Sequence, residues 1–428
     1  MKKHFLFLLI ASAGYTLMLQ AQESVSVDKA YTKQIEKLAR RSEIKRAFEA
    51  IDALEQYTTT QHIELTEIPA PPFMEEMRAA TFANRLRATG VDSVWIDAVG
   101  NVMGFIKGAE GSKTVALNAH LDTVFPEGTD VTVKQQNDTL YAPGIGDDTR
   151  GLAMLLTVSK VLQEQVLNPS SNVLIVATVG EEGLGDLRGV KELFSERGPG
   201  IDSWIAIDGG AIGRVNNKAL GSYRYKVTFD GPGGHSWGAF GLANPHHALG
   251  SAMHHFVKAA DAYTKTGPRT SYNVGIIEGG TSINSVPFSS SMLIDIRSVE
   301  PYRLDEMEQL LNQAVQTALN EQNEIRRRGE ALTVTVEKIG NRPSGELDPS
   351  LPLIQRAMAA TSYFGAEPEL TRGSTDSNIP ISLVIPAITI GRGGSGGNAH
   401  SLDEWWVNSD GQKAIQLAFL ILLSEAGL

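Results

Sequence analysis

The chain has 428 residues, 42% hydrophobic and 20% charged, with a formal net charge of -11. That length exceeds what a single core usually fills, so two domains are expected. No stripe of lysine and arginine offsets the acidic balance, which argues against nucleic acid as a partner. Cysteine is absent, which rules out disulfides, thiolate metal sites, a cysteine nucleophile and a lipidated cysteine.

In chain order, Lys2 and Lys3 precede an apolar run from Phe5 to Leu19, and Ala21 offers a small residue for cleavage, the pattern of an export signal. The run falls short of the ~20 residues that a membrane-spanning helix needs. Residues 1–21 therefore read as a cleavable signal peptide, and the mature protein as secreted or periplasmic with no stable membrane anchor. A polar helical stretch follows to about Glu55, then Glu67-Ile-Pro-Ala-Pro-Pro-Phe73, too rich in proline for helix. The spacing predicts a helix from Arg78 to Leu86 and strands over Val91–Ile96 and Val102–Ile106. A buried strand Val115–Ala119 ends at His120, a helix spans Gly151–Val166, and a strand Val173–Val179 ends before Glu181. A short helix near Leu187–Phe194 and a strand Trp204–Ile207, ending at Asp208, complete this part. Strands alternating with helices imply a mainly parallel α/β sheet.

The pattern changes near Gly221. A half-exposed strand over Tyr223–Phe229, a helix Pro245–Thr264, strands near Tyr272–Ile277 and Ser291–Ile296, a helix Tyr302–Arg328 and a strand Leu332–Val336 give the order βαββαβ of a ferredoxin-like unit. The α/β pattern then resumes with a helix Leu353–Thr361, an apolar run Ile379–Ile390 and a last helix Gln412–Ala426. The expected division is a catalytic domain over 22–217 and 339–428, with an inserted domain over 218–338.

Chemistry-bearing residues cluster at the ends of these runs: His120-Leu-Asp122, Asp147-Asp148, Glu181-Glu182, Asp208 and His400. Carboxylates and imidazoles are zinc ligands, and strand carboxyl ends are where open α/β sheets place their sites. Two zinc ions ~3.5–4 Å apart need a bridging carboxylate. Asp147, in Gly-Ile-Gly-Asp-Asp-Thr-Arg-Gly, fits, since the glycines let the backbone bend toward metal. Asp122, two residues past His120, is placed to accept the second ring N–H of that histidine. Adjacent side chains diverge, so one of Glu181 and Glu182 can bind metal while the other takes a proton from the attacking water. Each piece alone has an ordinary structural reading; five separate elements offering ligands in this order do not. His4, His62, His246, His247, His254 and His255 lack such settings. A competing pattern is Gly234-His-Ser-Trp-Gly238, which matches the nucleophile elbow of serine hydrolases, with Asp376 and His400 following in their order. The elbow needs a strand running into Ser236 and a helix directly after it, and glycine and proline on both sides oppose that.

On these residues the chain resembles the di-zinc exopeptidases and amidohydrolases that include glutamate carboxypeptidase, peptidase T, aminoacylase and acetylornithine deacetylase. The resemblance covers nearly everything after the signal segment. It implies one zinc on His120, Asp147 and Asp208, the other on Asp147, Glu182 and His400, with cobalt or manganese as substitutes. Glu181 would be the catalytic base and Asp122 the partner of His120. It also implies that the inserted domain is a lid and dimerisation domain. His235 in Gly-Gly-His would polarise the scissile carbonyl of the neighbouring subunit, and Asn284 and Arg297 would bind substrate. An aspartate at position 208 goes with peptidases of that family rather than deacylases, and Ile68-Pro-Ala-Pro-Pro-Phe-Met-Glu75 is similar to peptidase-T relatives. Thr149-Arg150 departs from the lysine that often follows the Asp pair. The expectation is an exported homodimeric zinc exopeptidase acting on di- or tripeptides, with an N-acyl amino-acid amidohydrolase as the alternative and a serine hydrolase as a remote one.

Overall fold

The computed structural model describes residues 26–428; the proposed signal peptide lies outside them. Among the described residues two large hydrophobic cores and one small one organise the chain. The largest lies around a nine-stranded mixed sheet. In spatial order its strands are Ser93–Ile96, Val102–Ile106, Asn172–Thr178, Thr114–His120, Ser203–Ile207, Ala387–Ile390, Arg214–Ala219 and Gly345–Glu346, with Glu369–Gly373 also paired to Arg214–Ala219. The middle is parallel: Thr114–His120 runs parallel to both Asn172–Thr178 and Ser203–Ile207, and Ala387–Ile390 runs parallel to Ser203–Ile207. These strands are mostly apolar and almost wholly buried because helices cover both faces of such a sheet; Val173, Leu174, Ile175, Val176 and Ala177 are all buried. Helices Thr149–Glu164 and Gly411–Ala426 pack on the central strand Thr114–His120. The sheet is therefore mixed α/β with a mainly parallel centre.

The second core belongs to residues 221–342. Strands Thr270–Gly279, Ser289–Ser298, Gly221–Asp230 and Thr333–Arg342 lie side by side in that order, all antiparallel. Helices Pro245–Thr264 and Pro301–Glu324 pack together over one face. Tyr225, Val227 and Phe229 point into this core with Met292, Ile294 and Ile296, so the alternate residues, including Arg224, Asp295 and Arg297, project from the other face. This unit leaves the large sheet just after Ala219 and returns at Gly345, and these two residues are direct partners across an antiparallel pair.

Three features differ from the sequence expectation. The run Ile379–Ile390 is not one element but a short helix Asn378–Ser382 and a strand Ala387–Ile390, broken where Val384 takes a positive φ of 58° and Pro386 follows. Strands Arg214–Ala219 and Glu369–Gly373 were not foreseen, because Arg-Val-Asn-Asn-Lys and Glu-Leu-Thr-Arg carry no apolar alternation. A small sheet of Ser395–Gly397, Trp405–Val407, Thr139–Tyr141 and Lys134–Gln136 also forms, with Leu140, Ala142, Ile145 and Trp406 as its core. It holds the His400 loop against the Asp147 loop. Among the described residues no helix is long and apolar enough to cross a membrane.

Candidate metal centre and catalytic site

The proposed ligands converge at the carboxyl ends of the parallel strands. His120 is the last residue of its strand and Asp208 follows Ile207 directly. Glu181 and Glu182 lie just beyond Thr178, and Asp147 and His400 come from loops. One ligand atom from each of His120, Asp147 and Asp208 lies within 4.8 Å of the others, and the same holds for Asp147, Glu182 and His400. Asp147 belongs to both groups, with Oδ1 3.2 Å from His120 Nε2 and Oδ2 3.3 Å from His400 Nε2. His400 Nε2 also lies 3.0 Å from Glu182 Oε1. Imidazole and carboxylate atoms facing one another through one shared carboxylate are the donor set that a pair of divalent cations requires.

The electrostatics fit such an occupant. Burial would raise the Asp147 carboxyl, but hydrogen bonds from His120 and His400, with the Arg392 guanidinium, hold it well below the usual range. Burial pushes Asp208 up to about 6, and the neighbouring Asp147 adds to this. His400 is raised to about 10 by its bonds to Asp147 and Glu182. Acidic groups crowded this closely call for a compensating cation.

Glu181 and Glu182 both lie near His120, with one ligand atom from each of the three within 4.8 Å of the others, but their closest charged partners differ. Glu182 faces His400, whereas Glu181 is buried with its Oε1 3.0 Å from Arg342 Nη1 and its carbonyl bonded to the same guanidinium. Desolvation pushes the Glu181 carboxyl well up, Arg342 opposes this, and Glu182 adds to it. Asp122 differs in detail from its expected role. The His120 Nδ1–H is 3.0 Å from the backbone carbonyl of Asp122, with the carboxylate farther off at 3.7 Å. The Asp122 carboxylate instead accepts the N–H groups of Glu181 and Glu182 at 3.0 and 2.7 Å, so one residue sets both the imidazole and the glutamate pair.

Of the residues that support the site, Asp148 belongs to the acidic pair read from the sequence, whereas Glu404 and the supporting role of His62 carry no signal there. Asp148 caps the helix Thr149–Glu164 through the N–H of Gly151 and accepts the N–H of His120. Glu404 accepts three N–H groups of the bridging loop, from Gly144, Gly146 and Asp147, at 2.8–3.0 Å. His62, fully buried, bonds the carbonyl of Ile145 two residues before Asp147 and stacks edge-on against Trp406. The pair Asp147-Asp148 was legible; the groups that hold it come from positions 62 and 404 and could be found only in three dimensions.

A cleft of about 430 Å³ opens over the ligands and is also lined by Arg214, Arg224, Arg297 and Arg342. Arg297, expected to bind substrate, is among the residues lining this cleft. His235 and Asn284 do not line it. They sit together on the inserted unit, where Gly234–His235 pairs with Ser285–Val286 and the Ser236 N–H donates to the Asn284 carbonyl. His235 is exposed and its Nδ1 accepts from the N–H groups of Trp237 and Gly238. No serine-hydrolase triad forms: turns rather than a helix follow Ser236, Asp376 bonds Thr178, and His400 faces Asp147 and Glu182.

Comparison with known proteins agrees with this geometry. The family model for peptidase family M20/M25/M40 matches residues 116–424. Carboxypeptidase G2 of Pseudomonas sp. (strain RS-16) is 24% identical over 291 residues, which covers 65% of each chain. Among solved structures, the aminopeptidase PepT of Bacillus cereus superposes with a TM-score of 0.66 at 20% identity, covering 86% of this chain and 97% of that one. The di-peptidase Dug1p of Saccharomyces cerevisiae superposes with a TM-score of 0.70 at 17% identity, covering 90% and 99%. With its ligand set gathered at the strand ends and more than half of its length matched, the chain belongs to peptidase family M20/M25/M40 and is an enzyme acting on peptide or amide bonds.

Proposed function

We propose that this protein is an exported zinc-dependent exopeptidase that hydrolyses di- or tripeptides. The observation that carries the reading is the different company of the two glutamates: Glu182 contacts His400 beside the shared Asp147, whereas Glu181 is paired with Arg342 while a carboxylate oxygen of it stays within 4.8 Å of His120 and Glu182. His120, Asp147 and Asp208 would hold one zinc, and Asp147, Glu182 and His400 the other. Zinc bound there supplies Lewis acidity toward the scissile carbonyl and makes the attacking water easier to deprotonate. Glu181 takes that proton and passes it to the leaving amine. Arg297 pairs with the terminal carboxylate of the peptide, which favours trimming over internal cleavage. The PepT and Dug1p neighbours, an aminopeptidase and a di-peptidase, support short peptides as substrates.

The inserted unit, read as a ferredoxin-like lid, is proposed to form a homodimer. Its strand Thr270–Gly279 is an open sheet edge carrying exposed Ile276 and Ile277, and Ile283, Phe288 and Trp237 are exposed nearby. Two such edges can pair about a two-fold axis. The partner subunit's His235 and the partner subunit's Asn284 would then complete the cleft, and that histidine would donate to the developing oxyanion. The signal-like residues 1–21 support export to a secreted or periplasmic location.

A panel of dipeptides, tripeptides and N-acetyl amino acids, run on protein supplemented with zinc, tests the reading. Peptides should be turned over, chelator should abolish the activity, and zinc or cobalt should restore it. Turnover of N-acetyl amino acids alone would make the enzyme a deacylase. Activity indifferent to chelator and lost to a serine-directed reagent would overturn the metal reading.

A further inference from the structure

The cleft holds more guanidinium than one terminal carboxylate can use. Of its four arginines, two are committed within the protein. Arg342 is bonded to the Glu181 carboxylate, the Glu181 carbonyl and Ser374. Arg224 places its Nε 3.2 Å from Asp295 Oδ1 and its Nη1 on the carbonyl of Gly183. The other two use only their Nε. Arg297 Nε donates to Asp295 Oδ2 at 2.8 Å, and Arg214 Nε donates to Asn216 Oδ1 at 2.9 Å. Among the described residues the terminal fork of each makes no hydrogen bond, and Arg214 has no acidic partner within ion-pair distance. The carboxylates of the same cleft, Asp147, Glu181, Glu182 and Asp208, are those assigned above to metal and proton transfer, so they are not left over to neutralise the forks.

The two forks also stand on different bodies. Arg297 projects from the open face of the inserted sheet, and Arg214 begins the strand Arg214–Ala219 of the large sheet, beside Gly209 and Gly373. Those glycines lack the side chains that would cover it: a Cβ at Gly209 would stand 2.8 Å from Arg214 Nη1, and one at Gly373 2.8 Å from Nη2. An Arg fork matches a carboxylate in plane with two N–H groups. A substrate carrying one carboxylate engages one of them.

We infer that Arg214 forms a second anion subsite, and that the preferred substrates end in a residue with two carboxylates, an aspartate or glutamate, one bound at Arg297 and the other at Arg214. This rests on the peptidase reading above. It makes Arg214 the residue that determines specificity for an acidic side chain, while the neutral amides asparagine and glutamine, equal in size, fit the cleft without the charge-assisted pair.

Steady-state kinetics on matched pairs test it: Ala-Glu against Ala-Gln, and Ala-Asp against Ala-Asn. The wild type should favour the acidic member about ten- to a hundred-fold in kcat/KM, the worth of one charge-assisted pair. In Arg214→Met, which keeps most of the apolar stem, that ratio should fall toward one, and in Arg214→Lys part of it should return. A wild-type ratio near one overturns the proposal, whatever the variants do. A second arm is independent of turnover: the thermal shift of zinc-supplemented protein with L-glutamate against L-glutamine. A larger shift with glutamate that Arg214→Met loses supports the subsite even if no peptide is cleaved, in which case the peptidase reading alone fails. Equal shifts from the two ligands overturn the subsite.

Discussion

Glu181 and Glu182 are adjacent in sequence and opposite in company, and their substitution separates base from ligand. Glu181→Gln keeps the shape but cannot take a proton, so a rate loss of ~10²–10⁴-fold or more is expected, with two metals retained per chain by elemental analysis. Glu182→Gln should instead lose or weaken one metal; the opposite pattern of metal contents would exchange the two roles. His62 makes a pH prediction of a different kind. Burial, with the nearby Arg150 charge, lowers its pKa from 6.5 to about 3. The unfolded chain therefore takes up this proton first as pH falls, and the folded chain resists it. Stability contributed by the neutral ring is complete above about 6.5 and drains away as pH falls toward 3. Melting temperatures across that window should fall more steeply for the wild type than for His62→Gln, and parallel curves would mean that the ring is not kept neutral.

A loop rather than a strand carries Asp147, the proposed bridging carboxylate, and one distant side chain keeps that loop in shape. Glu404 spends Oε1 on the N–H groups of Gly146 and Asp147 and Oε2 on that of Gly144. Glu404→Gln can offer only one of those oxygens and sets an N–H₂ against the remaining donor. A zinc affinity ~10–100-fold weaker is expected, with a stability loss of about 1–3 kcal/mol for the donor left unpaired, both measurable by competition with a chromogenic chelator and by denaturant unfolding. An unchanged affinity would mean that the loop holds itself. This clamp also marks where reading from sequence reached its limit. The helix Pro245–Thr264 was legible to the residue because Asn244 caps it, Pro245 occupies its first turn and the apolar positions repeat at helical spacing. The central strands announced themselves as largely apolar runs ending in or just before proposed ligands. Arg214–Ala219 did not, because Asn216 and Asn217 are buried polar residues whose environment is supplied by the sheet and not by their own sequence. Asp122 was identified as a support, yet whether its carboxylate or its carbonyl meets His120 depends on a chain direction that residue type does not encode.

At the scale of the molecule, every proposed metal ligand lies on the larger body, whereas Arg297 and Arg342 reach the cleft from the inserted one. The partner subunit's His235 would add a third source. If the proposed homodimer forms, His235→Ala should keep both metals and the dimer yet lose most of its rate, since only transition-state stabilisation is removed. Mixing inactive His235→Ala with inactive Glu181→Gln should then recover activity, because a heterodimer has one site with both residues intact. No recovery under demonstrated subunit exchange would rule out the shared site. The register of the two connecting segments has a consequence of its own. Ala219 and Gly345 are cross-strand partners, so the whole of the inserted unit departs and returns through a gap the width of a hairpin. The large sheet closes that gap by its own pairing, and what hangs from it is a cassette whose length costs the host fold little. A short turn in its place would leave the ligand-bearing strands in register, and a longer or differently shaped insert could be exchanged without moving them.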